Sequence, residues 1–198
     1  MTGWSKRRQS GGRRASVLVC VALAGLLLLW SGSAAAQGLP PGEYQIKAAF
    51  LLSFAKFVEW PAGKFHSDQD ALQICVIGED PFGKDLDETV AGKAVNGRPV
   101  AVHRMREASR ARECHVAFVG LAQPQEFREA LQTLNGAGVL TVGESDAFRG
   151  ADGIINFVLE QNRVRFEINP AAANRAGLKI SSKLLSLARL VHLPRPGS

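Results

Sequence analysis

From Val164 onward, Val164, Phe166 and Ile168 alternate with Arg165, Glu167 and Asn169, the period-2 pattern of a strand with one face on a core. Asn169-Pro170 is a helix start, in which the Asn side chain caps free N–H groups and Pro fits the first helical position. Gly177 then closes a short helix. Leu178, Ile180 and Ser182 read as a second extended piece, and the spacing of Leu184, Leu185, Leu187, Ala188, Leu190 and Val191 predicts a closing helix. The face left to solvent on this reading is polar: Glu167, Asn169, Lys179, Ser181, Ser182 and Lys183.

The strongest helical pattern runs from Tyr44 to Trp60. Gln45, Lys56 and Glu59 share one narrow side, while Ile46, Phe50, Leu51, Phe54, Phe57 and Val58 cover most of the remaining circumference. Such a helix is expected to be buried on two sides, as a core helix against a sheet or with part of its face on a second subunit or partner. Pro61 ends it, leaving Trp60 and Phe65 as partly exposed aromatics. Further strands are expected at Leu72–Ile77, Val100–Val102, His115–Val119 and Val139–Val142. Helical segments are expected at Phe82–Val90, Glu107–Arg112 and Pro124–Leu134. Ile154–Leu159 and Val164–Ile168 pair as a hairpin across Glu160–Arg163. Strands alternating with helices place the chain in the α/β class: a three-layer α/β/α sandwich on a mainly parallel sheet, with an antiparallel hairpin at one edge.

The N-terminal segment changes how composition is read. Lys6, Arg7, Arg8, Arg13 and Arg14 form a basic stretch, Val17–Trp30 an apolar one, and Ala34-Ala35-Ala36 a small-residue cleavage site, which together predict a signal peptide over residues 1–36. The apolar stretch falls short of the roughly 20 residues that cross a bilayer. Residues 37–198 are then expected to form a single exported domain. The leader holds five of the 24 Lys and Arg and none of the 18 Asp and Glu, so the remainder carries a formal charge of +1. The overall basic balance therefore gives no case for nucleic acid as a partner. With Cys20 in the leader, Cys75 and Cys114 remain. Two cysteines in an oxidising compartment suggest one disulfide, the alternative being two buried free thiols.

Catalytic patterns are sparse. Gly78-Glu79-Asp80-Pro81-Phe82-Gly83-Lys84-Asp85 enters a helix as a phosphate-binding loop would, but Asp85 stands where a hydroxyl should hold magnesium, Pro81 lacks a backbone donor, and Glu79 and Asp80 bring negative charge. His66, His103, His115 and His192 are scattered, without a metal-ligand spacing. There is no nucleophile elbow after the leader. The sequence thus predicts neither an enzyme, a metal site nor a cofactor. Lys179, Ser181, Ser182 and Lys183 are either a solvated loop or a small anion or polar-ligand site at the N-terminus of the last helix.

The run YQIKAAFLLSFAKFVEWP, then LQICVIGEDPFG, GRPVAV, a cysteine ahead of HVAFVG, VLTVGE, GIINFV and finally VRFEINPAAANRAGLKISSKLLSLA resembles the YfiR family of periplasmic proteins. The resemblance covers nearly the whole chain after the leader. It implies a small three-layer α/β domain that tends to form homodimers and is not an enzyme. It also implies a protein partner: the periplasmic sensing domain of an inner-membrane diguanylate cyclase, repressed so as to limit cyclic di-GMP and biofilm formation, or else a sensor histidine kinase or other receptor for which the domain senses a small molecule. By position, Cys75 and Cys114 match the family's redox-active disulfide pair. Glu167, Asn169 and Ala173, with Trp60 and Phe65, match the surface that holds the partner, and Lys64, Lys179 and Ser181, with Ser182 and Lys183 beside them, match proposed small-ligand contacts. Some relatives carry a second cysteine pair between Phe148 and Phe157; this chain has none there.

Overall fold

The computed structural model describes residues 42–191. The leader expected over residues 1–36, with Cys20, and the histidine at 192 lie outside the described residues. In chain order the elements are α1 (Glu43–Lys56), β1 (Val58–Glu59), β2 (Leu72–Gly78), α2 (Lys84–Val90), β3 (Ala94–Val95) and β4 (Arg98–Met105). A 3-10 turn (Ala108–Glu113) leads into β5 (Val116–Gly120), α3 (Pro124–Leu134), β6 (Leu140–Gly143) and α4 (Asp146–Gly150). The chain ends with β7 (Ile155–Glu160), β8 (Arg163–Ile168), α5 (Pro170–Arg175), β9 (Lys179–Ile180), α6 (Ser182–Leu185) and β10 (Arg189–Leu190).

The main sheet has the order β10-β8-β7-β6-β5-β2-β4-β3. Strands β4, β2, β5, β6 and β7 run parallel, and β7–β8 is the antiparallel hairpin. Its two-residue turn places Gln161 and Asn162 at positive φ, 49° and 61°, the twist that joins right-handed strands with least splay. β10 covers the end of β8 in parallel, so the hairpin sits one short strand in from the edge.

Because the strands are parallel, both faces of the sheet must be buried. On one face Ile74, Val76, Phe118, Val142, Ile155, Phe157, Phe166 and Ile168 meet Ala48, Leu51, Phe54 and Ala55 of α1. On the other, Ile77, Ala117 and Val119 meet Phe127, Ala130, Leu131 and Leu134 of α3, with Phe148 of α4. The three-layer α/β arrangement follows. α1 is fixed by aromatic contacts: the Phe54 ring lies 4.9 Å from Phe166 and 5.6 Å from Phe157, and Phe50 lies 5.4 Å from Phe166.

Three expectations need correction. The first helix ends at Lys56 rather than Trp60, because the chain after it pairs with β9, Val58 opposite Ile180 and Glu59 opposite Lys179, and the Phe57 carbonyl accepts from Ser181 N at 3.0 Å. The helix also keeps one exposed stripe, on which Ile46 is 51% exposed, instead of being buried on two sides. The closing helix is a single turn, Ser182–Leu185. Beyond it Val191 N donates to Ile168 O at 2.8 Å and draws the chain into β10, so Leu187 and Leu190 stay exposed.

The remaining local signals act as expected. Asn169 caps α5, its side chain accepting from Ala172 N at 3.1 Å, with Pro170 next. Gly177, at φ 76°, closes it. α3 begins at Pro124 behind a capping box of Gln123 and Glu126.

Cys75 of β2 is bonded to Cys114, 39 positions along the chain, with Cα atoms 6.1 Å apart. Closing a loop of that length stabilises by about 4 kcal/mol in the chain-entropy view. Replacing both cysteines by alanine is therefore expected to lower the unfolding free energy in urea by about that amount. Thiol labelling of the denatured exported form should find no reactive group before reduction and two after it; two before reduction would refute the bridge.

Candidate functional site

The sheet reverses its strand order at β2, with β4 on one side and β5 on the other, and in such sheets the crevice outside the carboxyl ends of the strands takes a ligand. Here Glu79 N donates to Gly120 O at 2.7 Å. A Cβ on Gly78 would lie 2.3 Å from the Gly120 carbonyl oxygen, and one on Gly120 the same distance from that of Glu79. The loop that follows serves itself: Asp80 Oδ1 accepts from Phe82 N at 2.9 Å and Gly83 N at 3.2 Å, taking amides that a phosphate would need. Arg104 clasps the turn from outside, donating to Asp80 at 2.6 Å and Asp87 at 2.8 Å. The two carboxylates hold the guanidinium firmly protonated.

Near these strand ends, α1 is pinned by buried charge. Lys47, 5% exposed, contacts Glu43 one turn earlier and donates to Glu144 at 2.6 Å. Tyr44 O–H donates to the other Glu144 oxygen at 3.1 Å. Burial, then the neighbouring Glu144 carboxylate, pushes the Tyr44 phenol upward. Sequence reading missed this cluster, although Glu43 and Lys47 stand four apart, the spacing of a helical ion pair.

The opposite end of β2 and β5 holds the disulfide and His115. Gln73 N donates to His115 Nδ1 at 3.0 Å, which assigns the imidazole proton to Nε2, a buried atom with no partner. The Phe65 ring stacks on His115 at 3.9 Å and carries Arg98 over it at 4.0 Å. Trp60 packs edge-on at 5.6 Å and donates its indole N–H to the His115 carbonyl at 3.1 Å. Burial, reinforced by the positive charges of Lys64 and Arg98, lowers the His115 pKa to about 4. Next to it opens a cleft of about 410 Å³ lined by Lys64, His66, Gln73, Cys75, Cys114 and His115 among others. The Lys64 ammonium is spent on the carbonyls of Arg112 at 2.6 Å and Ala137 at 2.8 Å, and burial lowers its pKa.

The partner-facing set divides. Trp60 and Phe65 are half-buried and packed around His115. Glu167, Asn169 and Ala173, expected on the surface, are 2%, 5% and 2% exposed. Glu167 is covered because β10 lies along the end of β8; it is bracketed by Arg149 of α4, at 3.4 Å, and Arg189 of β10. Asn169 spends its carbonyl on the α5 cap and its amide on Asp152 at 2.6 Å, while Ala173 packs in the core.

Within the ligand set, Lys64 alone lines the cleft beside His115. Lys179, Ser182 and Lys183 are exposed. Ser181 caps α6, and the Lys183 ammonium lies 5.4 Å from the Phe57 ring centroid. Among the described residues no three His, Cys, Asp or Glu side chains are placed to hold a metal ion. No described helix is long and apolar enough to cross a membrane.

Two outcomes follow from these environments. A folded-state pKa near 4 against the usual 6.5 means that between these values the unfolded chain binds a proton that the folded one refuses. His115 therefore contributes stability in full above about pH 6.5 and loses it as pH falls toward 4. His115→Gln should flatten the decline in urea midpoint between pH 6.5 and 5; an unchanged slope would refute this. Glu167→Lys places a third cation in a buried pair and is expected to cost about 3 kcal/mol or more in unfolding free energy, with faster hydrogen exchange at residues 189–191.

Comparison with known proteins agrees with this fold. A solved structure of a conserved domain protein from Vibrio cholerae O1 biovar eltor str. N16961 is similar at 11% identity and a TM-score of 0.53, over 76% of this chain and 60% of that one. This chain thus spans 60% of that protein's length, and likeness at such identity speaks to fold alone. The ABC domain in complex with L-Trp from Streptococcus pneumonia matches at 12% identity and a TM-score of 0.49, over 73% of this chain and 60% of that one, and carries no argument here. The family model described as YfiR/HmsC-like matches residues 44–189, from the start of α1 to β10. The chain belongs to the YfiR/HmsC-like family.

Proposed function

We propose that this is an exported, non-enzymatic regulatory protein that binds and represses the periplasmic sensing domain of an inner-membrane signalling protein. A diguanylate cyclase controlling cyclic di-GMP and biofilm formation is the partner that family membership favours. The observation that carries the reading is the match of residues 44–189 to the YfiR/HmsC-like family. The polar groups at the strand ends, Asp80 with Arg104 and Lys47 with Glu144, are engaged with one another, which favours the outer surface as the part that acts. The protein works as a homodimer in the periplasm, each subunit braced internally by its own Cys75–Cys114 bridge. Its docking surface includes the exposed Ser182 and Lys183 of α6.

A second reading rests on the cleft beside the disulfide. His115 Nε2 is a buried donor without an acceptor, and a small polar effector in that cleft, beside Lys64, would supply one. The domain would then sense that effector for a histidine kinase or other receptor.

Crosslinking in cells tests the first reading. The regulatory reading expects an inner-membrane signalling protein to be captured, and Ser182→Trp, on an exposed residue, to leave the urea midpoint unchanged while lowering capture at least tenfold. Turnover of a substrate by the purified protein, or residence in the cytosol, would overturn it.

A further inference from the structure

A regulator of this kind needs a surface that selects its partner, and the outer edge of β8 has the chemistry to do so. β8 spans Arg163–Ile168, but β10 pairs with it only at Glu167 and Ile168. Glu160 and Arg163 flank a two-residue turn and so form a hydrogen-bonded pair. Arg163, Arg165 and Glu167 accordingly bond to β7, while Val164, Phe166 and Ile168 aim their backbone N–H and C=O outward. Ile168 O is met by Val191 N at 2.8 Å. In the parallel register Arg189 N meets the Phe166 carbonyl, so the Val164 N–H and C=O and the Phe166 N–H have no strand beside them among the described residues.

The two faces of this edge differ in chemistry. Register puts Leu159 opposite Val164, Phe157 opposite Phe166 and Leu190 opposite Ile168, so one face is apolar, with Leu159 45% and Leu190 46% exposed. The other face carries Arg163, Arg165 and Arg189. Arg189 is engaged with Glu160, at 3.2 Å, and Glu167. Arg163 and Arg165 are exposed and form no ion pair among the described residues. A strand laid here continues both faces only if its apolar and acidic residues alternate. A second copy of the same edge would set arginine against arginine, which cross-strand pairing disfavours.

We propose, on the basis of the regulatory reading, that the partner protein docks by adding an extended segment of alternating apolar and acidic residues to the free edge of β8. Backbone bonds to Val164 and to the Phe166 N–H supply the attachment, and Arg163 and Arg165 select the charge.

Calorimetric titration of the protein with three capped seven-residue peptides tests this: alternating valine and glutamate, alternating valine and lysine, and the first peptide N-methylated on alternate amides. The glutamate peptide should bind, the lysine peptide should bind at least tenfold more weakly, and methylation facing β8 should abolish binding. With Arg163→Glu and Arg165→Glu together, the order of the two charged peptides should reverse. No binding of the glutamate peptide, or equal binding of both charged peptides, overturns the proposal. So does a dimer of the protein that the double variant dissociates, since that would give the edge to a second copy. Crosslinking in cells distinguishes the levels. Capture by the wild type that the double variant retains leaves the regulatory reading standing and removes the β8 edge. No capture by the wild type removes the regulatory reading, and the peptide titration then decides the edge alone.

Discussion

A parallel sheet cannot leave a face in water, because its strands are apolar on both sides and its connections must cross over them. Most of this molecule follows from meeting that constraint in a short chain. α1 covers one face through Phe50 and Phe54 against Phe157 and Phe166, and α3 and α4 cover the other through Phe127, Leu131 and Phe148. The disulfide lies on this second face, tying β2 to the entrance of β5, where the 3-10 turn gives less cover than a full helix would.

Polar groups that might have done chemistry are used to hold these layers in place. Lys47 sits between Glu43 and Glu144 and fixes the first turn of α1 to the end of β6. Asp80 folds its own loop and is clasped by Arg104. Glu167 joins α4 to β10 through two arginines. A buried ion whose partners are all committed offers little to a substrate, and losing one partner is costly. The same pairs are well suited to transmit a change at the surface. Glu167 touches β10 directly, so a disturbance of this buried carboxylate is felt on an exposed strand.

Part of the site was legible beforehand. The hairpin, the Asn169 cap and the Pro124–Leu134 helix rest on interactions within a few residues of one another, and sequence spacing reports those well. The pairing of Cys75 with Cys114 was legible once the leader had been set aside. The position of Glu167 was not. Its alternation with Phe166 and Ile168 places it on the face away from α1, but whether that face meets water depends on β10, which begins 22 residues later in the chain. The early end of α1 was hidden for the same reason: the competing partner of Val58 and Glu59 is Lys179–Ile180, far along the chain.

The sequence by itself determined where the main strands and helices lie, which side of each is apolar, and that the strands run mostly parallel, because these depend on local dihedral preference and on periodic burial. Tertiary structure alone decided that Gly78 and Gly120 meet backbone to backbone, that Glu167 and Asn169 are interior, and that the start of the β8 edge stays open. Each of these turns on which distant backbone lies within hydrogen-bonding distance, a quantity that no local pattern encodes.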